Sequence, residues 1–192
     1  MMTVDDNSNT AVGVVAYSYL SVAEQARVDA QIDAIFFQAS SVQSFRDDEH
    51  RRAFRWLWLG RYLMEEPDHG LVAMLAGEVC GYLVGSLADP AHRAEFRELA
   101  YFQEFSAQTK QYPAHLHINV DQTMRSRGVG GLLIEVFEAH ARAGHAPGMH
   151  IVTGAGMRNV GFYERLGFRE VARAPRKGSE VVMLAKRIAA VT

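Results

Sequence analysis

Between His115 and Gly131 the chain reads His-Leu-His-Ile-Asn-Val-Asp-Gln-Thr-Met-Arg-Ser-Arg-Gly-Val-Gly-Gly, and its hydrophobic period changes partway through. Leu116, Ile118 and Val120 alternate with His115, His117 and Asn119, the period of two that sends successive side chains to opposite faces of a strand. From Leu132 the spacing becomes three and four: Leu132, Leu133, Val136, Phe137, His140 and Ala141 predict one face of a helix running to about Ala143. A strand that passes into a helix through a short glycine-rich corner is the feature around which the rest of the chain must be arranged.

Gly128, Gly130 and Gly131 fall where the helical pattern begins. Glycine costs roughly 1 kcal/mol against alanine inside a helix, so stability does not explain three of them. Without side chains they let a ligand approach the unpaired N–H groups of the first turn, where the macrodipole presents positive charge. That is an anion site suited to a pyrophosphate. Arg125 and Arg127 stand beside it, and guanidinium groups match phosphate oxygens. The alternative is an ordinary strand-to-helix turn using glycine for close packing. Gly-x-x-x-x-Gly-Lys-Ser/Thr is absent, and the corner lacks the Gly-x-Gly-x-x-Gly spacing of dinucleotide folds.

Strands and helices alternate along the rest of the chain. Met1–Thr10 is polar and predicts a flexible N-terminus. Val12–Leu20, rich in Val and Tyr, predicts a first strand. Ser21 with Glu24 forms a capping box for a helix to about Ala39. Asp47 or Asp48 can cap a second helix that Pro67 stops after Glu65. Phe54, Leu57, Trp58, Arg61 and Tyr62 fall on one side of it, and its aromatics read as core. Leu71–Ala76 and Glu78–Leu87 predict a hairpin about Gly77, with Gly81 and Gly85 marking a bulge or close backbone approach. A third helix is expected from Pro90 through Phe105. Met149–Thr153, a short helix carrying Tyr163, and strands Phe168–Arg173 and Glu180–Lys186 complete the pattern, the last two joined by a loop holding Pro175, Arg176, Lys177 and Gly178. This order predicts an α/β fold in one domain, residues 11–192.

With 192 residues and 48% hydrophobic content, one core suffices. A net charge of -2 with interspersed signs leaves no basic footprint for nucleic acid. Cys80 is the only cysteine, which excludes an intramolecular disulfide and cysteine-paired metal clusters and reads as a core thiol. The histidines show no metal spacing. Asp5 and Asp6 replace the basic start of a signal peptide, and no apolar run is long enough to span a bilayer, so no membrane association and a cytoplasmic location are expected. The tail Glu180–Ile188 could pair with a second copy as a homodimer if it forms a sheet edge.

Arg125-Ser126-Arg127-Gly128-Val129-Gly130 resembles Arg/Gln-x-x-Gly-x-Gly/Ala, the coenzyme A signature of the GCN5-related N-acetyltransferases (GNAT), and Phe162-Tyr163-Glu164-Arg165-Leu166-Gly167-Phe168 resembles that family's Tyr-x-x-x-Gly-Phe segment. Tyr112–Ile118 also resembles bacterial members related to the acetyltransferase-like domain of O-GlcNAcases. The resemblance implies a mixed central sheet flanked by helices, with the strands His115–Val120 and Met149–Thr153 parallel but splayed for coenzyme A. It implies acetyl-CoA as co-substrate, no metal, and a small-molecule or peptide amine as acceptor, and, since that family's first two helices border the acceptor pocket, Trp56 or Trp58 as its wall. Arg125, Ser126, Arg127, Gly128, Val129, Gly130 and Gly131 would hold the diphosphate; backbone groups at Ile118, Asn119 and Val120 would meet the pantetheine arm and the oxyanion.

Acyl transfer from a thioester to an amine needs a neutral amine, a donor to the oxyanion and an acid for the thiolate. Tyr163 holds the position of the family's usual general acid; a phenol of pKa about 10 can protonate a thiolate whose conjugate acid lies near about 8.5. For the base, the polar face of His115, His117 and Asn119 is the source, with His117 chosen and Asp121 behind it; the histidines could equally be satisfied within the core. The family often has Asn seven residues before the tyrosine, where this chain has Gly156, and Ala where it has Asn159. Asn159 can supply the amide from one turn further on, or the contact is lost. That departure keeps open a non-catalytic acyl-CoA-binding pseudo-acetyltransferase. Arg176 and Lys177 could attract an acidic acceptor or form an ordinary solvated loop.

Overall fold

A computed structural model describes residues 11–176 and 178–189. The expected flexible segment Met1–Thr10, and Lys177, lie outside the described residues. Among the described residues seven strands form a mixed sheet: β1 (Gly13–Ala16), β2 (Leu71–Leu75), β3 (Glu78–Ser86), β4 (Ala114–Val120), β5 (Gly148–Gly154), β6 (Arg169–Arg176) and β7 (Ser179–Arg187). Their order is β1-β2-β3-β4-β5-β7-β6. The chain divides into two compact units. One comprises the described residues up to Val84 with His117–Val136; the other comprises Gly85–Leu116 with the described residues from Phe137 onward.

In the first unit β1, β2 and β3 run antiparallel. Ala76 and Gly77, at φ 53° and 80°, close the β2–β3 hairpin in two residues, both in the left-handed region that a tight turn of matching twist requires. Ala73 pairs with Gly81 but Met74 with Val79, so Cys80 is the extra residue of a bulge. Its thiol is buried and donates to Ala73 O at 3.3 Å. A side chain at Gly81 would stand 3.1 Å from Asn119 O, the close backbone approach expected there.

Helix α1 (Val22–Ala39) starts with the Ser21–Glu24 capping box and buries Val28, Ile32, Ile35 and Phe36. The first strand is shorter than expected. It ends at Ala16, and Tyr17–Tyr19 forms a 3₁₀ turn in which buried Tyr17 donates its hydroxyl to Asp29 Oδ1 at 2.9 Å. The second helical run spans Asp48–Glu65 as expected and is capped by Asp47, but in three parts: α2 (Asp48–Arg55), a π-helical turn (Trp56–Gly60) and α3 (Arg61–Glu65). Arg55 pairs with Asp33 of α1 at 2.6 Å.

In the second unit β4 and β5 pair in parallel at Ala114↔Met149 and His115↔His150. β5 and β6 then flank β7, both antiparallel. This corrects the expectation of a tail strand free to pair with another copy: the backbone of β7 is committed on both sides, and the outer strand is β6.

The single helix expected over Pro90–Phe105 does not form. Short 3₁₀ turns at Pro90–His92 and Ala94–Phe96 precede α4 (Tyr101–Glu104) and α5 (Ser106–Thr109). The buried residues explain this. Phe96, Leu99, Phe102 and Phe105 recur every third position, the 3₁₀ period, and Leu99 and Phe102 donate their N–H to carbonyls three residues back. Helix α6 (Val129–Ala143) ends as expected and buries Val129, Leu133, Ile134, Phe137 and Ala141. Short helix α7 (Asn159–Arg165) carries Tyr163.

Candidate active site

The corner before α6 lies in the first unit. Asp121 Oδ1 accepts from Thr123 N at 2.8 Å and from Thr123 Oγ1 at 2.5 Å, capping the 3₁₀ turn Gln122–Met124. The Thr123 hydroxyl, then its amide, holds the Asp121 carboxyl below the usual range. Asp121 is thus committed to the turn rather than held ready as a base. Ser126 and Gly128 both adopt positive φ, 62° and 85°, with exposed Arg127 between them. Buried Val129 pins the start of α6 to the core while Arg125, Ser126, Arg127 and Gly128 stay exposed.

A Cβ added at Gly128 or at Gly131 would meet no atom within 4 Å. These two glycines therefore do not serve close packing, although the φ of 85° at Gly128 is itself a conformation that favours glycine. They leave open space where their side chains would stand, beside a first turn whose N–H groups have no intrahelical acceptor. With Arg125 and Arg127 exposed alongside, the donor set fits an anionic diphosphate.

Ile118, Asn119 and Val120, at the end of β4, are half-buried. Asn119 donates its amide to the Tyr82 hydroxyl at 2.8 Å. His117 is half-buried and meets two rings edge-on, Trp58 at 5.1 Å and 87° and Tyr62 at 5.7 Å and 66°. The first unit thus brings His117, Trp58 and Tyr62 together. Trp56 is instead 42% exposed.

The expected polar face of β4 is not continuous. His115 belongs to the second unit, where it is buried, stacks on His150 at 5.6 Å, and meets Phe96 at 4.8 Å and Phe102 at 5.2 Å. His150 donates its Nδ1–H to the carbonyl of Tyr112, and burial pulls its pKa down to about 4. These two histidines read as core.

Tyr163, also in the second unit, is buried, with its ring 5.4 Å from Phe168. Its carbonyl accepts from Leu166 N and Phe168 N, so it also organises the turn that follows. Burial alone pushes the phenol well above its ordinary value. At neutral pH it is protonated. Asn159 Oδ1 accepts from Thr153 Oγ1 at 3.0 Å, fixing its amide to β5. Gly156 has φ 74° and open space about it. Arg176 lies in β6 rather than in a loop, and its guanidinium pairs with Glu104 at 2.9 Å, which answers its charge internally.

Tyr82 and Thr153 were not legible as site residues. The first is signalled only by lying across the sheet from Asn119, the second only by the contact itself. Among the described residues no three His, Cys, Asp or Glu side chains converge as a metal site, and no helix is long and apolar enough to cross a membrane.

The chain is similar to several solved structures over nearly their whole length. SsHAT is 21% identical, with a TM-score of 0.69, covering 93% of this chain and 99% of that one. A polyamine N-acetyltransferase of Drosophila melanogaster, which forms N-acetylagmatine, is 16% identical, with a TM-score of 0.62, covering 92% and 100%. The yncA protein of Salmonella typhimurium, solved with its cofactor acetyl-CoA, is 17% identical, with a TM-score of 0.57, covering 94% and 95%. At such identities these likenesses speak for the fold. The sequence profile of the acetyltransferase (GNAT) family matches residues 30–168, most of the chain. With the glycine corner and the Tyr163 turn both inside that span, the chain belongs to the acetyltransferase (GNAT) family.

Proposed function

We propose that the protein is a cytoplasmic N-acetyltransferase that moves the acetyl group of acetyl-CoA directly to a primary amine of a small molecule or peptide. The observation that carries this reading is the first turn of α6, where the space beyond Gly128 and Gly131 is open and Arg125 and Arg127 are exposed. Acetyl-CoA supplies an activated thioester. Arg125, Ser126, Arg127, Gly128, Val129, Gly130 and Gly131 bind its diphosphate through first-turn N–H groups and guanidinium charge. Backbone groups of Ile118, Asn119 and Val120 orient the pantetheine arm, and Asn159, fixed by Thr153, gives it a further amide.

His117 takes the proton from the amine, a task for which a half-buried imidazole is suited near neutral pH. Tyr163 holds a proton at its phenol oxygen and gives it to the departing sulfur; burial makes the phenol a weaker acid than in water, so the transfer depends on its placement against the sulfur. The narrower likeness to the O-GlcNAcase-related bacterial group rests on Tyr112–Ile118.

A second reading, a pseudo-acetyltransferase that binds acyl-CoA without turnover, is favoured by one observation: Gly156 stands where the family often has Asn. Screening amines with acetyl-CoA while following free thiol separates the two. Thiol release that Tyr163→Phe abolishes supports transfer. Binding with no release across the amines supports the second reading.

A further inference from the structure

The run Asp48–Glu65 departs from regular α-helical geometry at Trp56–Gly60, and the departure falls beside His117. Arg61 N–H donates to Trp56 O, five residues back, the mark of a π turn. Such a turn absorbs one residue more than an α turn and so offsets the downstream face from the upstream one by about 100°. The rings on the two sides have different partners. Phe54, upstream, packs on Phe36 at 5.5 Å and Phe45 at 5.4 Å. Trp58 and Tyr62 are directed to His117.

The turn is also built to be held. A Cβ at Gly60 would come within 3.0 Å of Trp56 Cε3 and 3.2 Å of Arg55 Nη1, so the Trp56 ring lies close over the turn. Arg55, at its entrance, is anchored to Asp33. Leu59, Gly60, Arg61, Tyr62 and Leu63 are all buried.

We propose that Trp58 and Tyr62 are positioning residues for His117, and that the π turn exists to present both rings to it. The inference rests on the reading of His117 as the base. An imidazole on a strand turns about two side-chain bonds; two rings, at 87° and 66° to its plane, restrict both and hold it in one orientation. Orientation of a base acts on the rate of proton transfer and leaves acetyl-CoA binding unchanged.

The test compares wild type with His117→Gln, Trp58→Phe, Trp58→Leu and Tyr62→Leu, reading the pH profiles of kcat and KM for acetyl-CoA, and imidazole NMR of His117. Trp58→Phe keeps an aromatic edge and is expected to stay near the wild-type rate. Trp58→Leu is expected to lower kcat roughly tenfold, a part of the contribution that a positioned base makes, to leave the KM for acetyl-CoA unchanged, and to shift the acid limb and the His117 titration. If His117→Gln removes the acid limb while Trp58→Leu and Tyr62→Leu change neither kcat nor that limb, the positioning role is overturned and the base stands. If His117→Gln leaves the limb in place, the base assignment falls and the inference falls with it. Should Trp58→Leu fail to fold, wild-type NMR decides: a His117 ring that exchanges freely between tautomers and orientations overturns the proposal.

Discussion

Asn119 donates its side-chain amide to the hydroxyl of Tyr82 at 2.8 Å, joining the polar face of β4 to the neighbouring strand at a tyrosine that is 1% exposed. The bond ties the end of β4, where coenzyme contacts are proposed, to the core. Tyr82→Phe removes the acceptor and leaves a half-buried amide without it. The expected cost is about 1 kcal/mol of stability, read from the midpoint of denaturant unfolding. Because burial pushes the Tyr82 phenol well above its ordinary value, wild-type stability should also fall as pH rises above about 10, where the unfolded chain ionises first; Tyr82→Phe should lose its share of that decline.

The two open glycines of α6 separate folding from binding. Gly131→Ala adds a methyl group to open space at a helical position, so stability should hold or rise by up to about 1 kcal/mol while affinity for acetyl-CoA falls. Thermal melts with and without acetyl-CoA read both effects. An alanine that left the ligand-induced shift at its wild-type value would place the diphosphate elsewhere.

Gly85 makes the opposite case. A Cβ there would lie 2.5 Å from His115 O and 2.7 Å from the Phe137 ring, and the backbone carbonyl cannot swing aside as a side chain would. Gly85→Ala should destabilise the second unit by about 1–3 kcal/mol, the range for overpacking, measured by chemical denaturation.

His150 makes stability depend on acid. Its pKa is about 4 in the folded chain and near the ordinary value of about 6.5 when unfolded, so the unfolded state binds the proton first as pH falls. The stability is whole above about pH 6.5 and is lost progressively down to about pH 4, by on the order of 3 kcal/mol. Denaturation midpoints across that range should decline in the wild type and decline less in His150→Gln. Equal slopes would show that this ring is not the sensor.

Much of the fold was legible because it is written locally. The alternation of β4, the capping box at Ser21 and Glu24, the Gly77 hairpin, the close approaches at Gly81 and Gly85 and the extent of α6 each follow from a period or a single residue type. The segment from Pro90 to Phe105 departs from the single helix expected because its buried residues, Phe96, Leu99, Phe102 and Phe105, recur in threes and not at the 3.6-residue period. The place of β7 between β5 and β6 depends on strand order, which no local pattern carries. Of the candidate site, the glycine corner and Tyr163 could be picked out from motif spacing. The division of His115 from His117 could not, since alternation assigns both to one face and only the surrounding aromatics make one of them core. The π turn left no mark in the sequence beyond Gly60.

The most direct measurement is calorimetric titration of acetyl-CoA into wild type and Gly128→Glu, with thermal unfolding of both. Gly128 lies at φ 85°, exposed and with room about it, so the variant puts a carboxylate beside the proposed diphosphate contacts and adds backbone strain of about 1–2 kcal/mol. Saturable binding that stabilises the wild type, and is lost in a Gly128→Glu protein that still melts cooperatively, is the predicted result. Undiminished binding by Gly128→Glu would contradict the assignment of the α6 corner.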